Sequence, residues 1–272
     1  MLRLNRLQHP KSLKPYERLV SKLSTSSSSE LSRPKCSDIR LDVDLIYRLY
    51  DLQKLTRFYG QMHWEEETNS VGNDPGSLDL ENVAAHSYHV ARCALLIAPH
   101  FPWLDSAHTT ELALMHDEPE IVTGDKDPVG TDGQGNTTHA FNHGKRREKD
   151  DEERHAIEQL AVEMRPSIRD HYKRLFAELI EGSSEAARFV KAIDKLQSLA
   201  FVRLKKGGNI TPEHAAFTLR YSRIGVHRFP QLQGHFMLVY EDLLGDVAIA
   251  KPDSFEDFCA STWSYFLNAE KA

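Results

Sequence analysis

Apolar residues recur along this chain at the three- and four-residue spacing of amphipathic helices, and no run alternates with the period of a strand. Leu41, Leu45, Ile46, Leu49 and Leu52 form one stripe. They predict a helix from Asp38 that continues past Leu55 to Phe58. A second helix is expected from Asn82, with Val83, His86, Val90, Cys93 and Ile97 on one face and Pro99 limiting its end. A third is expected from Thr109 or Thr110, whose hydroxyl would cap it. Its stripe is Leu112, Ala113, His116, Glu120 and Thr123, and Gly124 closes it. Beyond lie a charged helix (145–164), a piece over 169–180 and a long apolar helix (185–205) ended by Gly207-Gly208. Three C-terminal helices come next, around 212–223, 231–245 and 254–268. Residues 65–79 read as a loop, and 125–143, polar and glycine-rich, as a long surface loop. The pattern implies an all-α fold with one core.

Composition narrows the classes. The chain has 272 residues, 40% of them hydrophobic and 27% charged, with a net charge of -6. An acidic chain lacks the clustered cations that general nucleic-acid binding needs. The longest apolar runs are too short to span a bilayer. Cys36, Cys93 and Cys259 are widely spaced and form no CxxC pair, which argues for a reducing compartment, the cytoplasm being the simplest. Residues 1–37 read as a disordered arm. Its first part is basic (Arg3, Arg6, Lys11, Lys14, Arg18, Lys22) and a Ser-rich run comes after it. That is the composition of a mitochondrial transit peptide or of a plain disordered extension.

The chemistry sits in polar residues placed where the pattern predicts burial. His86 lies on the apolar face of the second helix, and His116-Asp117 follows Leu112-Ala113-Leu114-Met115. Asp194 shares a strip with Val190, Ser198 and Phe201. A buried carboxylate is costly unless paired or bound to a metal. A lone buried His is commonly just a hydrogen-bonded core residue. Together, two imidazoles and two carboxylates suit one divalent ion, and Mn, Co, Fe, Zn and Ni all accept such mixed ligands. Glu120 lies one turn after His116, within reach of a water on that ion.

The ordered words Glu-Asn-Val-Ala-Ala-His-Ser (81–87), His-Asp-Glu-Pro-Glu-Ile-Val-Thr-Gly-Asp (116–125) and Ala-Ile-Asp-Lys-Leu (192–196) resemble the HD-domain metal-dependent phosphohydrolases. More narrowly, they resemble the YfbR-like 5'-deoxynucleotidase branch. The resemblance covers roughly residues 41–222. It implies an HD-domain helical bundle over 38–272, with metal ligands His86, His116, Asp117 and Asp194 and with Glu120 activating water. It further implies that Arg57 holds phosphate, that Phe58 lies beside the sugar and that Asp125 accepts from a sugar hydroxyl. Thr123 is placed next to the substrate or as a cap. The substrate would be a small nucleotide losing its 5'-phosphate, and the protein a homodimer. Phe58 stands where the family often has Trp, and the stretch from Arg57 to His86 is longer than the family norm. Lys191 and Lys195 are alternative phosphate contacts. His89 is a candidate neighbour of the metal ligands, His139 and His143 are expected in solvent, and 145–154 is expected as a solvated face. Two rivals stay open: an HD-type deoxynucleoside triphosphate hydrolase, and a non-catalytic helical module stapled by metal.

Overall fold

The computed structural model describes residues 35–64 and 79–271. Residues 1–34 of the expected N-terminal arm and most of the expected 65–79 loop therefore lie outside the described residues, while Cys36 and Ser37, expected in the arm, open the first helix. The chain divides into two units, Met1–Ile39 and Arg40–Ala272, and the second holds the helical bundle. Among the described residues there is no strand, only an isolated antiparallel bridge between Thr56 and Asn82. No helix is long and apolar enough to cross a membrane.

The helices are α1 (Cys36–Leu49), α2 (Val83–Ile97), α3 (Ser106–Met115), the single-turn α4 (Glu120–Thr123) and α5 (His143–Glu163). They continue with α6 (Pro166–Glu181), α7 (Glu185–Lys206), α8 (Pro212–Arg228), α9 (Gln233–Ala250) and α10 (Phe255–Ala269). Helix α7 is the spine, packing against α2, α3, α6, α8 and α9. Its apolar residues are too numerous for one stripe, which is the pattern of a helix buried on most sides. Phe189 and Ile193 enter one core with Leu112 and Phe176, while Phe201 and Val202 enter a second with Trp64, Ile210, Leu243 and Phe258. Each fully buried side chain of this size contributes roughly 1.5–3 kcal/mol.

Several expected boundaries differ from what forms, two of them near the site. Helix α1 does not reach Phe58. It tightens into a 3₁₀ turn at Tyr50–Lys54, and Leu55 turns extended. The chain then pairs with the start of α2, Arg57 N–H donating to Glu81 O at 2.8 Å and Val83 N–H to Leu55 O at 2.9 Å. Helix α3 starts at Ser106 and not at Thr109. Asp105 caps it, accepting from the N–H groups of Ala107 and His108, while the hydroxyls of Thr109 and Thr110 donate back to Asp105 O and Ser106 O. A carboxylate satisfies two of the open donors of the first turn and so outcompetes a hydroxyl within it.

Helix α3 also stops at Met115. Pro119 has no N–H to continue the ladder, so residues 116–119 form turns before α4. Gly124, at φ +72°, ends α4 and redirects the chain to Asp125.

The 125–142 segment is irregular, as expected, but it is not a surface loop: Val129, Gln134 and Ala140 are buried. Its backbone is satisfied from within. Asp127 accepts from the N–H groups of Val129 and Gly130, and Asp132 accepts from those of Gln134, Gly135 and Asn136.

Candidate functional site

Three separated segments bring their polar side chains to one point. His86 comes from α2, whose first turn is fixed by Asn82 accepting from Ala85 N–H at 2.9 Å. His116 and Asp117 come from the turn that Pro119 forces after α3, and Asp194 comes from α7. His86 Nε2 lies 3.3 Å from His116 Nε2, 3.3 Å from Asp117 Oδ2 and 3.2 Å from Asp194 Oδ1. His116 Nε2 is 3.1 Å from Asp117 Oδ2. One donor atom from each of His86, His116 and Asp117 falls within 4.8 Å of the others, the spacing of a shared cation. The structure thus brings together all four residues singled out from the sequence.

The far side of each ring decides which nitrogen carries its lone pair inward. His116 Nδ1 donates to Ala113 O at 2.8 Å, leaving Nε2 as the acceptor. His86 Nδ1 is 2.7 Å from Gln197 Oε1. The Gln197 amide cannot flip, because its nitrogen donates to Glu81 Oε1 at 2.9 Å. His86 Nδ1 therefore carries the proton, and both Nε2 lone pairs point into the cluster, as metal-ligating imidazoles require. Arg57 also reaches to 2.6 Å from His86 Nδ1, a contact between donors held by Glu81, which accepts from Arg57 at 3.0 Å.

The electrostatics agree. Burial and Arg57 oppose a charge on His86, yet Asp117, Asp194 and Glu81 raise its pKa well above the ordinary value. Burial also works against charge on Asp117 and Asp194. The neighbouring histidines and, for Asp194, Lys195 still hold both far below the usual carboxylate range. The cluster is built around a positive charge, and two neutral imidazoles with two carboxylates fit a divalent cation.

Beside it runs a cleft lined by Arg57, Phe58, Asp117, Glu120, Asp125 and Asp194, among others. Glu120 is 7% exposed and its Oε2 has no hydrogen-bond partner. Burial, then Asp117 and Asp125, raise its pKa well above normal. Burial raises Asp125 as well, against the pull of Arg57.

Arg57 is anchored by Glu81 and by Ser198 Oγ at 3.2 Å. Phe58 sits at φ +65°, a strained conformation for an aromatic residue, and is pinned by stacking on Trp64 at 4.6 Å and Phe201 at 5.4 Å. Trp64, His214 and Phe217 extend this aromatic wall.

Thr123, a substrate-contact candidate, does not line the cleft. Its hydroxyl donates to Gly124 O at 3.2 Å, because α4 ends there and leaves that carbonyl open.

Other histidines and cations depart from their expected places. His89 does serve the cluster indirectly, donating to Glu81 Oε1 at 2.8 Å. His143 is exposed, but His139 is packed into the wall. Burial and the nearby Lys149, Lys195 and Arg146 pull the His139 pKa down to about 3. The 145–154 run is not wholly solvated, since Arg146, Lys149, Asp150 and Glu153 turn inward. Lys191 and Lys195 are likewise inside, not solvated beside Asp194. The hydrophobic pattern does not single out Glu81 as a functional residue, nor Gln197, Ser198, Trp64 and Lys149. Glu81 precedes the helix cap and carries no local signal. Its importance is four-way contact with Arg57, His86, His89 and Gln197.

The HD domain model matches residues 73–232, more than half of the chain. The protein belongs to the HD-domain family. The family implies a divalent metal, and His86, His116 and Asp117 are a group that could hold one. Among solved structures, this HD-domain protein is similar to a predicted metal-dependent phosphohydrolase from Magnetospirillum magnetotacticum. The identity is 20% over 75% of this chain and 98% of that one, with a TM-score of 0.49. It is also similar to a conserved hypothetical protein from Pyrococcus furiosus, at 20% identity over 72% and 98% and a TM-score of 0.48. No curated protein matches the sequence.

Proposed function

We propose that this HD-domain protein removes the 5'-phosphate from nucleoside monophosphates, deoxyribonucleotides foremost. One observation carries the reading: a buried carboxylate, Glu120, leaves an oxygen without a partner in a cleft shared with Asp117, Asp194 and the Arg57 guanidinium. Left in an apolar core, such an oxygen would cost about 1–3 kcal/mol. Beside the metal cluster, it is an acceptor that no protein donor occupies.

His86, His116, Asp117 and Asp194 would hold one divalent ion, which supplies polarisation of the phosphoryl group and acidification of water. Glu120 takes the proton from the attacking water at its orphaned Oε2. Its raised pKa suits it to hold that proton and pass it to the leaving oxygen. Arg57 presents a planar fork to two phosphate oxygens while Glu81 and Ser198 keep it from swinging away. Phe58, Trp64 and Phe217 offer flat faces for the nucleobase, and Asp125 accepts from a sugar hydroxyl.

The test is orthophosphate release by Mn- or Co-loaded protein from a panel of deoxy- and ribonucleoside 5'-monophosphates. Glu120→Gln should lower kcat by about 10²–10⁴ with metal content unchanged. A loaded wild-type protein that releases no phosphate from any member of the panel would end the proposal.

A further inference from the structure

A second chamber, between α5, α6, α7 and α8, adjoins the cleft, shares Asp117, Asp194, Lys149 and Lys195 with it and also touches His116. Arg146, Lys149, Lys191, Lys195 and Arg228 line it, over an apolar floor that includes Phe176 and Leu179. Four carboxylates share the lining, but two of them, Asp117 and Asp194, belong to the metal cluster. Asp150 and Glu153 are left against five basic groups.

The partners of these cations divide them. Arg146 donates to Ala140 O at 2.7 Å, Lys149 pairs with Glu153, and Lys195 with Asp194. Among the described residues, Lys191 and Arg228 make no hydrogen bond or ion pair at all. Burial depresses Lys191 to about 8 against the pull of Glu153, with Arg228, Lys149 and Lys195 adding repulsion; burial and Arg146 lower Arg228 against Asp194 and Asp150. With Asp117 and Asp194 engaged at the cluster, five cations face two carboxylates and two of the five have no bonded partner, a surplus that an anion would balance. Guanidinium and ammonium groups from several helices suit the tetrahedral oxygens of a phosphoryl group.

We propose that this chamber is an anion site that holds a phosphoryl group separate from the one at the metal, with Lys191 and Arg228 as its principal contacts. The inference rests on the metal-centre reading, since it takes Asp117 and Asp194 to be engaged by the ion. The phosphoryl group has two sources: a further phosphate on the same nucleotide, or free orthophosphate.

Calorimetric titration of orthophosphate into the full-length chain, metal-loaded and chelator-stripped, reads the site without turnover. Binding should be tightest in the loaded protein, because stripping frees Asp117 and Asp194 to answer the chamber's cations. It should fall at least about tenfold in Lys191→Ala and in Arg228→Ala, the loss expected for a charge-assisted contact. It should hold in Lys173→Ala, which removes an exposed cation elsewhere on α6. Lys191→Arg should retain it, which keeps the test valid if an alanine variant unfolds. No binding by the loaded wild type, or one affinity across all variants, overturns the proposal.

Competition on the loaded protein separates the sources. If the group belongs to the nucleotide, a nucleoside 5'-diphosphate competes more tightly than the monophosphate, and Lys191→Ala erases the difference. If it is free orthophosphate, the two nucleotides compete equally, and Lys191→Ala relieves inhibition by orthophosphate. Phosphate binding without monophosphate turnover would sink the nucleotidase reading and leave this site standing. Turnover without phosphate binding in the chamber would do the reverse.

Discussion

Single residues at this site are legible mainly through what they must be bonded to. Glu81 is almost wholly buried, yet its pKa falls to about 2. The cost of burial is outweighed by His86, Arg57 and His89. His139 is the opposite case, an imidazole kept neutral by burial and by Lys149, Lys195 and Arg146, with its pKa near 3. In the unfolded chain it takes up a proton below about 6.5; in the folded chain it does not until about 3. Between those values the unfolded state binds more protons, so stability is full above the upper value and is lost as pH falls through the window. By pH 5 the loss from this one group is about 2 kcal/mol. Urea denaturation at pH 7 and pH 5 should therefore cost the wild type about 2 kcal/mol more than His139→Asn. Equal losses would mean that the imidazole does not feel the cationic wall.

At the scale of elements, the sequence pattern reports burial well and direction poorly. Helices α2 and α7 are readable because their stripes are apolar and their ends carry Asn82 and Gly207. The inward His86 and Asp194 stand out against those stripes as polar residues in need of a partner. The break at Pro119 is visible in the sequence and is real. The end of α1 is hidden because its cause is remote: the pairing of residues 55–57 with 81–83 sets Arg57 beside His86. Polar segments mislead for a related reason. Asp127 and Asp132 spend their carboxylates on their own loop, which lets 125–142 pack inward, and composition cannot tell that from solvation.

Close helix crossings are equally invisible in a stripe. At Gly225 of α8 an added Cβ would lie 2.5 Å from Phe236 Cζ on α9 and 3.2 Å from Lys195 Cβ on α7. Gly225→Ala should destabilise by about 1–3 kcal/mol, the usual cost of overpacking. At Gly245, inside α9, a Cβ meets nothing within 4 Å. Gly245→Ala should stabilise by about 0.5–1 kcal/mol. Denaturant midpoints of the two variants moving the same way would refute this account of the crossing.

For the molecule as a whole, the metal cluster is a tie between segments far apart in sequence. His86 belongs to α2, the His116-Asp117 pair to the turn after α3, and Asp194 to the α7 spine against which most other helices pack. Glu120 and Asp125 add acid to the same neighbourhood, so the stripped protein gathers carboxylates that His116, His86, Arg57 and the chamber lysines must balance. Asp117, Asp194 and Glu81 raise the pKa of His86 well above its ordinary value, the mark of a cluster that favours positive charge. A ligand that binds only the folded state stabilises it by RT ln(1 + [L]/Kd), about 2.7 kcal/mol at a hundredfold excess over Kd. For a domain of this size that is a rise in Tm of roughly 5–10 °C. Thermal unfolding of the full-length chain should accordingly shift down by that amount on chelation and recover with added Mn or Co. In Asp194→Ala the metal-dependent part should vanish and the stripped variant should unfold below stripped wild type, because Lys195 and His86 lose the carboxylate that pairs with them. A wild-type Tm indifferent to metal would mean that His86, His116, Asp117 and Asp194 hold no cation. The surplus of positive charge in the neighbouring chamber would then be answered by Asp117 and Asp194 themselves, with no anion required.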